Sequence, residues 1–202
     1  MTLSIANIPE EQRTTVEFAN YQMDDEGFYA FCRLNDHLKF ERNADGTIVA
    51  VPNTGGKTGL RNTKITSRLD LWSETHGGFV FDSSTAFKLP NSATRSPDAA
   101  WVSEVRWQQL THEQQERFPP LAPDFVVELM SHTDSLTSAK AKMDEYIANG
   151  VRLGWLIDIK RQEVLIYHAD GTVQTHTDVN VPVSGEEVLL GFTFDLGLLI
   201  RQ

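Results

Sequence analysis

Residues 123–158 constrain the fold more than any other stretch, because they predict a strand, a helix and a second strand in succession. They read PDFVVELMSHTDSLTSAKAKMDEYIANGVRLGWLID. Successive side chains on a strand point to opposite faces, so Asp124, Val126, Glu128 and Met130 share one face. The connection between the strands is long enough for a parallel crossover. The stretch therefore predicts a β-α-β unit that carries one carboxylate among apolar neighbours.

Glu128 interrupts the apolar run FVVELM, and this position demands an explanation. A buried glutamate without a partner is costly, so it must be paired, metal-bound or at an exposed edge. Ser138, Lys142 and Tyr146 are spaced four residues apart and form one stripe on the predicted helix. This stripe offers an ammonium to the Glu128 carboxylate. A plain structural ion pair and a catalytic pair both remain open.

A second carboxylate is expected at the same edge of the sheet. Pro97–Asp98 opens an earlier predicted strand, DAAWV. Phosphodiester hydrolysis needs a nucleophilic water and relief of charge on the phosphate, and a divalent cation held by carboxylates supplies both. Asp98 and Glu128 are the candidate metal ligands, and Lys142 is the third member, assisting the water or the phosphate.

Both aspartates that follow proline have a purely structural alternative. Aspartate at a strand entrance commonly accepts hydrogen bonds from turn amides. Asp124 already lies on the strand that supplies Glu128, about 13 Å away at roughly 3.3 Å per residue. We therefore predict that Asp124 is structural and that Asp98 belongs to the site. Asp158 ends the strand WLID and is predicted to cap a turn.

Two further motifs are read from local patterns. LKFERNADGTIVAVP predicts a β-hairpin around Asp45–Gly46, and Glu41 lies on its first arm. A surface charge is the favoured interpretation of Glu41, and an extra metal ligand is the alternative. Gly-Gly-Lys-Thr at residues 55–58 is not a phosphate-binding loop, because the first glycine of that motif is missing.

The length and the apolar content predict one domain over residues 1–202. Hydrophobic residues make up 40% of the 202 and charged residues 23%, as in ordinary globular proteins. Residues 1–37 are predicted to form an N-terminal helical lead-in, and residues 38–202 the core with C-terminal hairpins. Strands outnumber helices, yet a helix separates two of the best strands. The pattern predicts an α/β fold with appended antiparallel hairpins.

The charge argues against strong non-specific binding to DNA. The net charge is −10, whereas affinity for phosphate comes largely from Lys and Arg. A bound divalent cation can supply positive charge locally. A single cysteine, Cys32, excludes an intramolecular disulfide framework and a Cys-rich zinc site. Neither a secretory signal nor a membrane span is recognisable, so we expect no membrane partner and a cytoplasmic location.

Taken together, these motifs resemble the bacterial Uma-two family of restriction-endonuclease-like proteins. The resemblance runs from about Leu38 to Leu196, and its specificity comes from the set of strings rather than from any one of them. The matching strings are TGGKTGLRNTKI, VFDSSTAFKLPN, ATRSPDAAWVS, FPPLAPDFVVELMS, KMDEYIANGVRLGWLID and GEEVLLGF.

The resemblance implies a PD-(D/E)xK nuclease core, which is a mixed sheet flanked by helices. It implies that Asp98 is the motif aspartate and Glu128 the motif acid. Met130 stands where the superfamily has its lysine, and Lys142 matches the position to which the lysine has moved in this family. Ser138 departs from the residue type that is common there.

The sequence hypothesis is a Mg²⁺- or Mn²⁺-dependent DNA endonuclease. Nucleases that cut both strands often pair symmetrically, which suggests a homodimer. The alternative is a catalytically inactive module that keeps the nuclease scaffold and binds nucleic acid or a protein partner.

Overall fold

The fold is described from a computed structural model. It covers residues 14–16, 23–131 and 134–201, with backbone alone for residues 14–16. The strands are β1 (Thr14–Val16), β2 (Lys39–Arg42), β3 (Ile48–Val51), β4 (Phe79–Asp82), β5 (Phe87–Lys88), β6 (Thr94–Arg95), β7 (Ala99–Val102), β8 (Phe125–Leu129), β9 (Leu153–Asp158), β10 (Glu163–His168), β11 (Val173–His176), β12 (Val183–Ser184) and β13 (Thr193–Phe194). The helices are α1 (Asp25–Leu34), α2 (Gly56–His76), α3 (Glu104–Trp107), α4 (His112–Glu116), α5 (Leu136–Ala148) and α6 (Gly197–Ile200).

A six-stranded mixed sheet forms the centre of the molecule. Its order is β11-β10-β9-β8-β7-β4. Strands β8 and β9 are parallel and are joined through α5, as the sequence predicts. Strand β7 runs antiparallel to β8 on the other side. The predicted α/β class with a mixed sheet and flanking helices is confirmed.

Helices cover both faces of this sheet, because side chains alternate along β8. Phe125 and Val127 pack on the side that holds Ile65 and Leu69 of α2. Val126 packs on the other side, against α5. Full burial on both faces explains why β8 and β9 read as nearly continuous apolar runs. Glu128 shares the face of Val126 and therefore points toward α5.

A second sheet stands beside the first and is antiparallel throughout its paired strands. It has five strands in the order β1-β3-β2-β6-β5. The predicted hairpin is present as β2 and β3, with Gly46 in its turn at φ +89°. Phe28 and Phe31 of α1 pack on this sheet against Phe40. The second sheet supplies several charged residues of the site.

The fold has three further local features. The predicted lead-in, residues 1–37, holds helix α1 but also β1, which pairs with β3; residues 1–13 and 17–22 lie outside the described part. The stretch FVFDSSTAFK is divided between the two sheets, because β4 belongs to the first sheet and β5 to the second. The C-terminal segment ends in a short helix, α6.

None of the helices in the described residues has the length and apolar character that a membrane crossing requires.

Helix α2 is followed directly by two glycines. Gly77 and Gly78 have φ of +81° and +84°. The indole of Trp101 packs over this turn and donates from Nε1 to the Gly77 carbonyl at 3.1 Å. A Cβ at Gly78 would lie 2.3 Å from Trp101 Nε1, whereas one at Gly171, with φ +82°, would meet nothing within 4 Å.

This difference gives a matched stability test. Gly171→Ala should lower the free energy of unfolding by about 1–2 kcal/mol, the cost of a side chain at positive φ. Gly78→Ala should cost a further ~1–3 kcal/mol, because the indole must also move. Urea denaturation of both variants measures the difference. Equal losses would contradict the role given to Trp101.

Candidate active site

The pairing of β7 with β8 brings the two predicted acids to one end of the sheet. Ala99 pairs with Val127, so one step further along the register Asp98 stands opposite Glu128. The Asp98 carboxylate extends the row of hydrogen bonds between β7 and β8, because its Oδ2 accepts a hydrogen bond from the Leu129 amide at 2.8 Å. Asp98 thus lies at the strand entrance, where it binds a main-chain amide of the neighbouring strand.

Glu128 contacts the predicted stripe of α5. Lys142 Nζ lies 2.8 Å from Glu128 Oε1, and the Tyr146 hydroxyl donates to the same oxygen at 2.9 Å. The side chains of Lys142 and Glu128 are only 10% and 13% exposed. The ammonium therefore points into the protein and not into bulk solvent. Ser138, the first residue of the stripe, is exposed and takes no part in these contacts.

The expectation that Glu41 is a surface charge is wrong. Glu41 is 2% exposed, because β2 lies in the second sheet where that sheet meets α5. Its Oε1 accepts hydrogen bonds from Lys142 Nζ at 3.0 Å and from the Ser96 amide at 3.1 Å. Arg95 approaches its Oε2 at 3.7 Å. Lys142 is therefore held between two carboxylates from two different sheets.

Burial and neighbouring charge alter the acidity of this cluster. Burial raises the pKa of the Glu128 carboxyl above its ordinary value of 4.5. The charges of Asp98 and Glu41 act in the same direction, and Lys142 opposes them. Burial also raises the pKa of the Tyr146 phenol well above 10.0, so its hydroxyl remains a donor to Glu128.

Asp98 connects this cluster to a polar cleft between α2 and β4. Asn62 of α2 donates from Nδ2 to Asp98 Oδ1 at 2.8 Å. The cleft holds about 610 Å³, which suits a small ligand or a segment of a larger one. Its lining includes Thr63, Thr66 and Asp70 besides Asn62 and Asp98. The carboxylate of Asp98 is thus reachable from the cleft side.

Sequence reasoning missed Asn62 and Lys39. Asn62 lies in the quoted string TGGKTGLRNTKI, but a polar residue on a helix carries no signal of its own. Lys39 precedes Glu41 by two residues, so both side chains leave the same face of β2. The charges that act on its ammonium include Glu41, Lys142 and Asp98. Only the contact between the second sheet and the first brings it to the site.

Asp124 and Asp158, the two other acidic residues considered in the sequence analysis, have structural roles. Asp124 is fully buried, accepts a hydrogen bond from the Ser103 amide at 2.8 Å and pairs with Arg106. Asp158 accepts a hydrogen bond from the Arg161 amide at 3.0 Å, which closes a turn. Both observations agree with the roles that were predicted for these residues.

The donor set at this end of the sheet suits a hard divalent cation. Over the described residues, no three or more His, Cys, Asp or Glu side chains gather in a way that could hold a metal ion. Mg²⁺, however, is commonly bound by one or two carboxylates together with waters. Asp98 and Glu128 supply such a pair. Asn62 Oδ1, buried beside Asp98 and without a hydrogen-bond partner among the described residues, could accept from a water there.

The architecture matches that of solved structures. Five solved chains match this one. One of them, from Anabaena variabilis, is described as "a putative nuclease belonging to DUF820". It superposes with a TM-score of 0.68 at 19% identity, over 80% of this chain and 89% of the other. At this identity the likeness shows the fold alone, so the protein has a nuclease-like α/β fold.

The family follows from the sequence comparison. The sequence model of the Uma2 family, described as "Putative restriction endonuclease", matches residues 25–197. The chain belongs to the Uma2 family. The resemblance seen in the sequence motifs is thereby confirmed. No match is found among curated proteins.

The raised pKa of Glu128 makes the stability contribution of this residue depend on pH. The Glu128 carboxyl binds a proton more readily in the folded state than in the unfolded chain. Its contribution to stability is therefore complete at pH values below 4.5, the ordinary pKa of the carboxyl. It is lost as the pH rises through the folded pKa. The free energy of unfolding of the wild type, relative to Glu128→Gln, should therefore fall as the pH rises.

Urea denaturation of both proteins between about pH 4 and pH 8 measures this difference. The substitution keeps an amide oxygen that can still accept from Lys142 and Tyr146. A difference that grows in favour of the wild type with rising pH would contradict the raised pKa.

Proposed function

We propose that the protein is a divalent-metal-dependent endonuclease that hydrolyses phosphodiester bonds of DNA. The observation that carries the proposal is the placement of Asp98 and Glu128 opposite each other on adjacent strands, with the almost entirely buried Lys142 next to Glu128. Membership of a family described as restriction endonucleases supports the same reaction class. Proteins with this kind of core generally use divalent metal ions.

In this proposal Asp98 and Glu128 hold the metal, Mg²⁺ or Mn²⁺. The cation, when bound, supplies positive charge to the phosphate and makes water more acidic. The protein groups keep the carboxylates in place. Asn62 and the Leu129 amide fix Asp98, and Tyr146 fixes Glu128.

Lys142 serves two purposes in this arrangement. Its charge opposes the effect of burial on Glu128 and so favours the ionised carboxylate that metal binding needs. Its position on the Glu128 oxygen also allows it to assist the attacking water.

DNA is the proposed substrate, and a homodimer the proposed assembly. The net charge of −10 makes tight non-specific binding to duplex DNA unfavourable without the metal. Two copies related by a two-fold axis could address both strands of a duplex. Sedimentation velocity, with and without a short duplex, tests this assembly; a monomer under both conditions would argue against it.

A cleavage assay with matched variants tests the reaction. Wild-type protein with Mg²⁺ or Mn²⁺ should cut supercoiled, linear or single-stranded DNA. Glu128→Gln and Asp98→Asn should reduce the rate about 100-fold or more, because each removes a carboxylate from the proposed metal site. Lys140→Met is the control, because Lys140 lies on the same helix and is exposed.

This assay distinguishes a direct role of Glu128 from a general effect on helix α5. Cleavage that is unchanged in Glu128→Gln would remove Glu128 from the site. Loss of activity in Lys140→Met as well would point to a general effect on helix α5.

A second candidate is an inactive module that retains the nuclease scaffold. The ion pair with Lys142 and the hydrogen bond from Tyr146 favour it, because together they satisfy one Glu128 oxygen without any metal. Such a module need not bind a divalent cation at these acids.

Metal binding distinguishes the two candidates without relying on activity. On the endonuclease proposal, titration of the wild type with Mn²⁺ or Mg²⁺ in a calorimeter should give a binding isotherm. The same titration should also raise the melting temperature, because the ion binds only the folded state. Both effects should be lost in Asp98→Asn and retained in Lys140→Met. Identical behaviour of wild type and Asp98→Asn would favour the inactive module.

A further inference from the structure

The ammonium of Lys142 is already committed to two carboxylates. Its Nζ lies 2.8 Å from Glu128 Oε1 and 3.0 Å from Glu41 Oε1, and the side chain is 10% exposed. Charge-assisted contacts of this kind are strong when they are shielded from water. A substrate phosphate would have to compete with both carboxylates for this lysine. Any charge that a protein side chain brings to the phosphate, beside that of the proposed metal, must therefore come from another group.

Lys39 is a second lysine at the site, and it enters from a different element. It lies two residues before Glu41 on β2, so its side chain leaves the face that Glu41 uses to reach Lys142. Phe40, between them, packs in the core of the second sheet. The charges that act on the Lys39 ammonium are those of the acid cluster and its lysine, namely Glu41, Lys142, Asp98 and Glu128.

The ammonium of Lys39 is near this cluster without being bound to it. No ion pair within 4.0 Å and no side-chain hydrogen bond joins it to a residue in the described ranges 23–131 and 134–201. The residue as a whole is neither fully buried nor fully exposed. A lysine ammonium has three N–H donors, and a phosphate offers acceptors of opposite charge.

We propose that Lys39 is a further catalytic residue, which contacts a non-bridging oxygen of the scissile phosphodiester at the Asp98–Glu128 centre. The inference rests on the proposed endonuclease function. Lys39 supplies charge to the phosphate from the side of the second sheet, while Lys142 holds the two carboxylates. No proton leaves Lys39 in this role, because its contribution is electrostatic.

The acidity of Lys39 is consistent with this role. Burial lowers the pKa of the Lys39 ammonium below its ordinary value of 10.5. Lys142 acts in the same direction, whereas Glu41, Asp98 and Glu128 oppose it. A phosphodiester bound next to the ammonium would favour the charged form, so binding should raise this pKa.

Single-turnover cleavage separates this role from a structural one. Lys39→Met should slow cleavage about 10²–10³-fold, as removal of one preorganised donor does in other enzymes. Lys39→Arg should restore part of the rate, because the positive charge is kept. The melting temperature and the affinity for DNA, measured with Ca²⁺ in place of Mg²⁺, should change little. Lys140→Met should cleave like the wild type.

A structural role for Lys39 predicts the opposite pattern. It would lower the melting temperature of Lys39→Met, and Lys39→Arg would then recover stability and activity together. Cleavage by Lys39→Met at the wild-type rate would overturn the proposal while leaving the endonuclease function intact.

A binding measurement decides the proposal even if the wild type cuts nothing. The lysines are labelled by reductive ¹³C-methylation, and the Lys39 signal is assigned by its absence in Lys39→Met. Addition of a thymidine dinucleotide with Ca²⁺ should shift this signal and raise its pKa, while the Lys140 signal stays in place. No movement of the Lys39 signal would overturn the contact. Movement without any cleavage would preserve the contact and reject the endonuclease function.

Discussion

The burial of the Glu128 carboxylate on a central strand is the constraint on which the rest of the site depends. Taking a carboxylate out of water is costly unless a charge and hydrogen bonds replace the solvent. Here Lys142 and Tyr146 supply both, from one stripe of α5. The position of helix α5 on strand β8 is therefore coupled to one atom, Glu128 Oε1. A shift of α5 would leave the Glu128 carboxylate buried without its partners.

The same network joins the two sheets. Glu41 on β2 and Arg95 on β6 belong to the second sheet, yet they contact Lys142 and Glu145 of α5. The Arg95 Nε lies 2.6 Å from a Glu145 oxygen, and its side chain is 11% exposed. The charges of this interface define the position of the second sheet more specifically than apolar contact alone would, because an ion pair requires defined atoms at defined distances. The ion pairs that position the second sheet against α5 therefore also assemble the candidate site.

The sequence predicts the central unit well, because its signals are local. Alternation along β8 and the spacing of Lys142 and Tyr146 are enough to predict that Glu128 faces an ammonium. Glu41 and Lys39 could not be placed in this way. A hairpin considered alone has one face free, and its burial here comes from contact with a distant part of the chain. Asn62 shows the same limit, because its hydrogen bond to Asp98 spans 36 residues.

The balance of charge in the cluster bears on the proposed function, in which an acidic protein acts on an acidic polymer. The cluster and the ion pair beside it contain four carboxylates and three cations, so the carboxylates exceed the cations by one. The carboxylates are Glu41, Asp98, Glu128 and Glu145, and the cations are Lys39, Lys142 and Arg95. Without a metal this small negative excess repels phosphate, in agreement with the net charge of the chain. A divalent cation between Asp98 and Glu128 would reverse the sign of the cluster. The affinity of the site for a phosphodiester would then depend on the metal itself, and not on a basic surface.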